Sequence, residues 1–132
     1  MSHTILLFED NHMRFDEYDL IVASLLILDI NKEAIELHFP TMRCTWLEEF
    51  STSISGCTDL DLEVLITNEN LKYEFLKIVE NTYKYIEINV HGSILNLGSI
   101  DGLINLIGIC VTRQYPSDLI LVALNGLKEL LT

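Results

Sequence analysis

Apolar and polar residues change places in short blocks along most of this chain. His3 to Phe8, Tyr18 to Asp29, Glu33 to Phe39, Asp61 to Ile66, Leu71 to Val79, Thr82 to Val90 and Leu103 to Thr112 are rich in leucine, β-branched and aromatic residues, a composition that predicts strands. The breaks between them have turn chemistry. Asp29-Ile30-Asn31-Lys32, Thr67-Asn68-Glu69-Asn70 and Glu80-Asn81 each separate two apolar runs, and Asn and Asp tolerate the left-handed backbone that tight turns need. Alternation supports the reading. Tyr83, Tyr85, Glu87 and Asn89 oppose Ile86, Ile88 and Val90, and Ala34, Glu36 and His38 oppose Ile35, Leu37 and Phe39, as on a sheet with one buried face.

Two segments have helical spacing instead. Met42, Trp46, Phe50 and Ile54 recur every fourth residue with Leu47 beside them, between Thr41 as a start and Gly56 as a stop. After Pro116, the residues Leu119, Val122, Ala123, Leu127, Leu130 and Leu131 draw a second stripe, weakened by Gly126. The expected architecture is α+β: an antiparallel β-sheet with two amphipathic helices, about 41–55 and 117–131, packed on one face.

The chain has 132 residues, a length for one domain spanning 1–132 with a core of its own. Its 20 acidic and 8 basic side chains give a net charge of −12. That surface repels phosphate backbones and lacks a basic stripe, which argues against direct nucleic-acid binding. It attracts cationic partners and speeds their encounter. Residues 1–87 carry 17 of the acids and 6 of the bases, so steering belongs to the first two thirds. Cys44, Cys57 and Cys110 are odd in number and lack C-x-x-C spacing, which fits reduced thiols. The N-terminal stretch has no basic region before its apolar run, unlike a signal peptide. The longest apolar run, Leu20 to Leu28, is far shorter than a membrane span. A cytoplasmic protein away from the membrane is expected.

Catalytic constellations are hard to assemble. His3, His12, His38 and His91 lack the paired spacing of a metal-binding helix. His91-Gly92-Ser93 with Ser99 and Asp101 has hydrolase residue types but no nucleophile elbow. Gly92, Gly98, Gly102 and Gly108 are followed by no Lys-Ser/Thr, so no phosphate loop forms. The acids Asp59, Asp61 and Glu63 lack the glycine and terminal glutamate of a calcium loop. No catalytic residue, metal ligand or cofactor is assigned, and the expectation is a non-enzyme. Trp46 and Phe50 read as core, whereas Tyr73, Tyr83 and Tyr85 are usable interface.

One order of elements is familiar. A hairpin precedes the Trp-bearing helix Thr-Met-Arg-Cys-Thr-Trp-Leu-Glu-Glu-Phe at 41–50. Then come Leu-Glu-Val-Leu-Ile-Thr-Asn-Glu-Asn-Leu-Lys-Tyr-Glu-Phe at 62–75 and Tyr-Ile-Glu-Ile-Asn-Val-His-Gly at 85–92. Across residues 18–131 the pattern resembles small bacterial immunity proteins of the Wap and contact-dependent growth inhibition type, departing from it at 93–102, which is more apolar and glycine-containing. The resemblance implies a protein that binds and neutralises the C-terminal toxin domain of a cognate polymorphic toxin, commonly a nuclease. The partner is then a basic protein domain, met by carboxylates standing where phosphates would. The residues expected to meet it are Asp10, Asp16, Glu17 and Asp19 near the first hairpin, and Asp59, Asp61 and Glu69 near the loop after the first helix. The alternative is a cytosolic adaptor or assembly module pairing through an exposed strand.

Overall fold

The computed structural model describes residues 3–52, 56–89, 94–96 and 114–132. Strands β1 (His3–Phe8) and β2 (Asn11–Asp16) form an antiparallel hairpin, in register from His3 opposite Asp16 to Phe8 opposite Asn11. Period-two alternation puts Thr4, Leu6 and Phe8 inside with Phe15, and leaves His3, Ile5 and Leu7 outside. The turn places Glu9 at φ +53, and its N–H donates to Glu63 Oε1 at 2.8 Å.

Helix α1 (Glu17–Ile30) starts at Asp16, whose carboxylate accepts the Asp19 N–H at 3.0 Å, a capping bond that satisfies one orphan donor of the first turn. Every residue from Leu20 to Leu28 is buried. A helix apolar all round belongs in a core, and α1 is walled by β2, by the following helices α2 (Lys32–His38) and α3 (Met42–Thr52), and by two longer helices downstream. At the α1–α2 corner the buried Asn31 amide donates to Ile27 O at 2.9 Å and to Thr82 Oγ1 at 2.8 Å. It accepts from Asn81 Nδ2 at 2.8 Å. A polar corner in the interior is tolerated because every arm is bonded.

Helix α3 buries the expected stripe of Met42, Trp46 and Phe50. Trp46 donates its indole N–H to Leu60 O at 2.8 Å and meets the Phe75 ring edge-on, which in turn meets Phe39. Beyond Gly56, at φ +87, a short loop leads to one turn of helix, α4 (Leu62–Leu65), and then to α5 (Glu69–Asn89). A short strand β3 (Ile94–Asn96) pairs antiparallel with β4 (Gln114–Pro116), and α6 (Ser117–Leu131) closes the chain. Helix α6 packs across α5, α1 and the hairpin.

The α+β class, the antiparallel pairing, and helices at 42–52 and 117–131 agree with expectation, but the protein is mostly helical and the sheet is small. The runs at 18–29, 33–39, 61–66, 71–79 and 82–90 are helical over most of their described residues, and Glu80-Asn81 lies inside α5, not at a turn. In α5 the buried positions Phe75, Ile78, Val79, Thr82 and Ile86 have helical spacing. The stripe of α6 is also rotated from expectation. Ile120, Ala123, Leu124, Leu127, Leu130 and Leu131 face inward, while Leu119 and Val122 are exposed. Gly126 has a positional cause: a Cβ there would stand 2.6 Å from Cε2 of Phe15. Residues 103–112, Ile54, Val90, Ser99, Asp101, Cys110, the His91-Gly92-Ser93 turn, and Gly98, Gly102 and Gly108 lie outside the described residues.

Candidate functional site

The seven carboxylates singled out in the sequence fall into different settings. Glu17 is buried, and its Oε2 accepts the Gly56 N–H at 2.7 Å and the Thr58 hydroxyl at 2.9 Å. It clasps the start of α1 to the 56–58 loop and is not a surface group, because a carboxylate enters an interior only where donors replace its water. Asp16 is the α1 cap. Asp19, half-buried, joins Arg14, Asp16, Val122 and Glu129 around a cleft of about 390 Å³ between β2 and α6. Asp10 is exposed in the hairpin turn, and Glu69 is exposed in the first turn of α5.

Asp59 and Asp61 are brought together beside β1. With Glu63, Leu62, Val64, Ile5 and Leu7 they line a depression of about 180 Å³. The loop that carries them is held from behind: Glu49 of α3 accepts the Asp59 N–H at 3.0 Å, and Asp59 Oδ1 accepts the Asp61 N–H at 3.2 Å. Asp61 sits at φ +53, a conformation that Asp tolerates better than most residues. Burial, and then the negative charge of Asp59, push the Asp61 carboxyl above its ordinary range. None of the described ion pairs reaches Asp59, Asp61 or Glu63. Four described lysines pair elsewhere, as in the Lys128–Glu80 bridge of 3.2 Å that joins α6 to α5 and lowers the Glu80 carboxyl.

Three apolar members of this surface were not anticipated. Ile5, Leu7 and Val64 are 59%, 62% and 72% exposed. The signal was available in β1, where residues 5–8 are apolar on both faces although a two-stranded ribbon has only one face toward the core. Glu63 lines the depression as well, though it is not among the seven carboxylates singled out. Tyr73 and Tyr85 are exposed, as their interface reading requires, whereas Tyr83 packs against the core.

Among the described residues no three His, Cys, Asp or Glu side chains are grouped to hold a metal ion. Nor is any described helix long and apolar enough to cross a membrane. Cys44 and Cys57 are free thiols on the surface. No protein-family model matches the chain, and no similar curated protein or solved structure was found. What the surface can do chemically is recognition: it offers carboxylate acceptors and apolar area.

Proposed function

We propose that this protein is an immunity-type inhibitor that binds the cationic domain of a bacterial toxin in the cytoplasm and blocks it by occupation, with no chemistry of its own. The observation that supports this reading is the group Asp59, Asp61 and Glu63, three acids held around one depression with no described cation in ion-pair range. Burial, and after it the like charge of Asp59, raises the Asp61 carboxyl. A guanidinium or ammonium group from a partner relieves the repulsion and gains charge-assisted hydrogen bonds.

The net charge of −12 extends the same argument to long range. Nucleases hold phosphates in electropositive clefts, so an anionic protein is steered toward them and competes with substrate for the same side chains. Steering sets the association rate, and desolvated anchors set the residence time. The resemblance of the sequence to Wap-type and contact-dependent growth inhibition immunity proteins is what suggests a toxin domain as the partner.

The test is co-expression. The chain is produced together with the C-terminal toxin domain encoded beside its gene, and growth is scored. Protection that weakens when Asp59, Asp61 and Glu63 are neutralised supports the proposal. Full toxicity in the presence of folded protein, or turnover of a metabolite by the purified chain, refutes it. The adaptor reading draws on the exposed Ile5 and Leu7 of the hairpin and predicts partners whose binding ignores salt.

A further inference from the structure

The hairpin is a sheet with two faces and one core. Thr4, Leu6, Phe8 and Phe15 are packed into the interior. On the opposite face the register sets Ile5 beside Arg14 and Leu7 beside His12, with α4 contributing Val64. Scattered exposed aliphatic residues are ordinary. These three are contiguous, because they line one depression with Asp59, Asp61 and Glu63, and contiguous apolar area rimmed by charge marks an interaction surface.

We infer that the outer face of the β1–β2 hairpin is a docking surface for a cationic segment of a partner protein. The partner's apolar side chains cover Ile5, Leu7 and Val64, and its lysines or arginines reach Asp59, Asp61 and Glu63. This rests on the inhibitor reading and gives it a location and a polarity. Charge selects the occupant. A second copy of this chain would bring another −12 to the contact, whereas a basic segment neutralises the rim and is attracted from a distance. The loop side of the face is acidic and the β2 side carries Arg14 and His12, so the basic edge of the partner faces the 59–63 loop. Neutral amides preserve the local bonds: Asn suits the left-handed backbone at position 61, and Gln at 63 keeps an oxygen for the Glu9 N–H.

The test uses the full chain with labelled methyl groups and the synthetic hexapeptide Lys-Val-Lys-Val-Lys-Val as the probe. The methyl signals of Ile5, Leu7 and Val64 move together and saturate. Affinity falls about tenfold when Asp59→Asn, Asp61→Asn and Glu63→Gln are combined, and falls again with added salt. Leu7→Ser and, separately, Val64→Ser weaken binding with the melting temperature retained in at least one of them. Leu37→Ser, at another exposed aliphatic position, changes nothing. A Glu-Val hexapeptide does not bind. The inference is overturned if the peptide moves methyl groups elsewhere equally, if the neutralised variant binds as before, or if the three signals respond to chain concentration alone, the mark of a second copy. Peptide docking here without protection from any toxin would sink the immunity reading and leave the surface standing. Protection undiminished by both Leu7→Ser and Val64→Ser would do the reverse.

Discussion

Glu17 separates a structural carboxylate from a recognition carboxylate in a way that can be measured. Both of its hydrogen bonds, from the Gly56 N–H and the Thr58 hydroxyl, end on the same oxygen. Hydrogen bonds to a charged group are worth about 1.5–3 kcal/mol each, and removing the acceptor strands both donors. The charge also sits in the first turn of α1, where the helix dipole adds roughly 0.3–1 kcal/mol. Allowing for overlap among these contributions, Glu17→Ala should cost about 3 kcal/mol. For 132 residues the unfolding entropy is about 0.28 kcal/mol/K, so the melting temperature should drop by about 11 °C. Glu17→Gln is the sharper case. Its single amide oxygen can serve both donors, so only charge assistance and the dipole contribution are lost, about 1 kcal/mol. Chemical and thermal denaturation followed by circular dichroism gives both numbers. An alanine variant that melts with the parent and instead loses affinity for a basic partner would refute the assignment and return Glu17 to the binding surface.

Three further outcomes follow from the same structure. Replacing Trp46 by Phe leaves the Leu60 carbonyl without its indole donor and should cost about 1–3 kcal/mol in urea unfolding, whereas Trp46→Ala, which empties the site, should cost about 3–5. Gly126→Ala gains about 1 kcal/mol of helix propensity but drives a methyl into the Phe15 ring at 2.6 Å, so a net loss of about 1 kcal/mol is expected in the parent and a gain in a Phe15→Leu background. The Asp61 carboxyl, raised by burial and by Asp59, binds its proton more tightly folded than unfolded. Stability contributed by the protonated form is therefore lost as pH rises from the ordinary aspartate value near ~4 through the folded value. The stability of Asp61→Asn relative to the parent should grow over that interval, and Asp59→Asn should narrow it. A parent that gains on Asp61→Asn with rising pH would contradict the sign.

The helices that could be read from the sequence are those with one apolar face. Met42, Trp46 and Phe50 stand four apart with Leu47 beside them, a helical stripe, whereas a strand face through the same residues would also have to take in Glu48. Helix α1 lacks such contrast. From Leu20 to Leu28 nearly every residue is apolar because neighbours surround the helix, and a continuous apolar run looks the same as a buried strand. Its length was the better guide, since twelve residues is long for a strand and ordinary for a helix. In α5 the aromatic and β-branched residues between 82 and 89 imitate strand composition. The inward positions Phe75, Val79, Thr82 and Ile86 keep helical spacing straight through the supposed turn at Glu80-Asn81. Tertiary packing overrode composition there.

The candidate site divides along the same line. Its charge was legible at Asp59 and Asp61, since excess carboxylate in a polar loop needs no fold to be noticed. Its apolar half was not, because Ile5 and Leu7 differ from Leu6 and Phe8 only in which side of a two-stranded ribbon they occupy. Once most of the expected strands become helices, the sheet contracts to two separate strand pairs, and aliphatic residues on the outer face of the β1–β2 hairpin stand open. Outward isoleucine and leucine at alternate positions contribute nothing to the core, and they add apolar surface that a lone ribbon would do better to replace with threonine or lysine. Their position beside three carboxylates with no described cation in ion-pair range is what the proposed docking uses: under that proposal the acids would speed the arrival of a cationic partner, and the aliphatic row, dried by its arrival, would hold it.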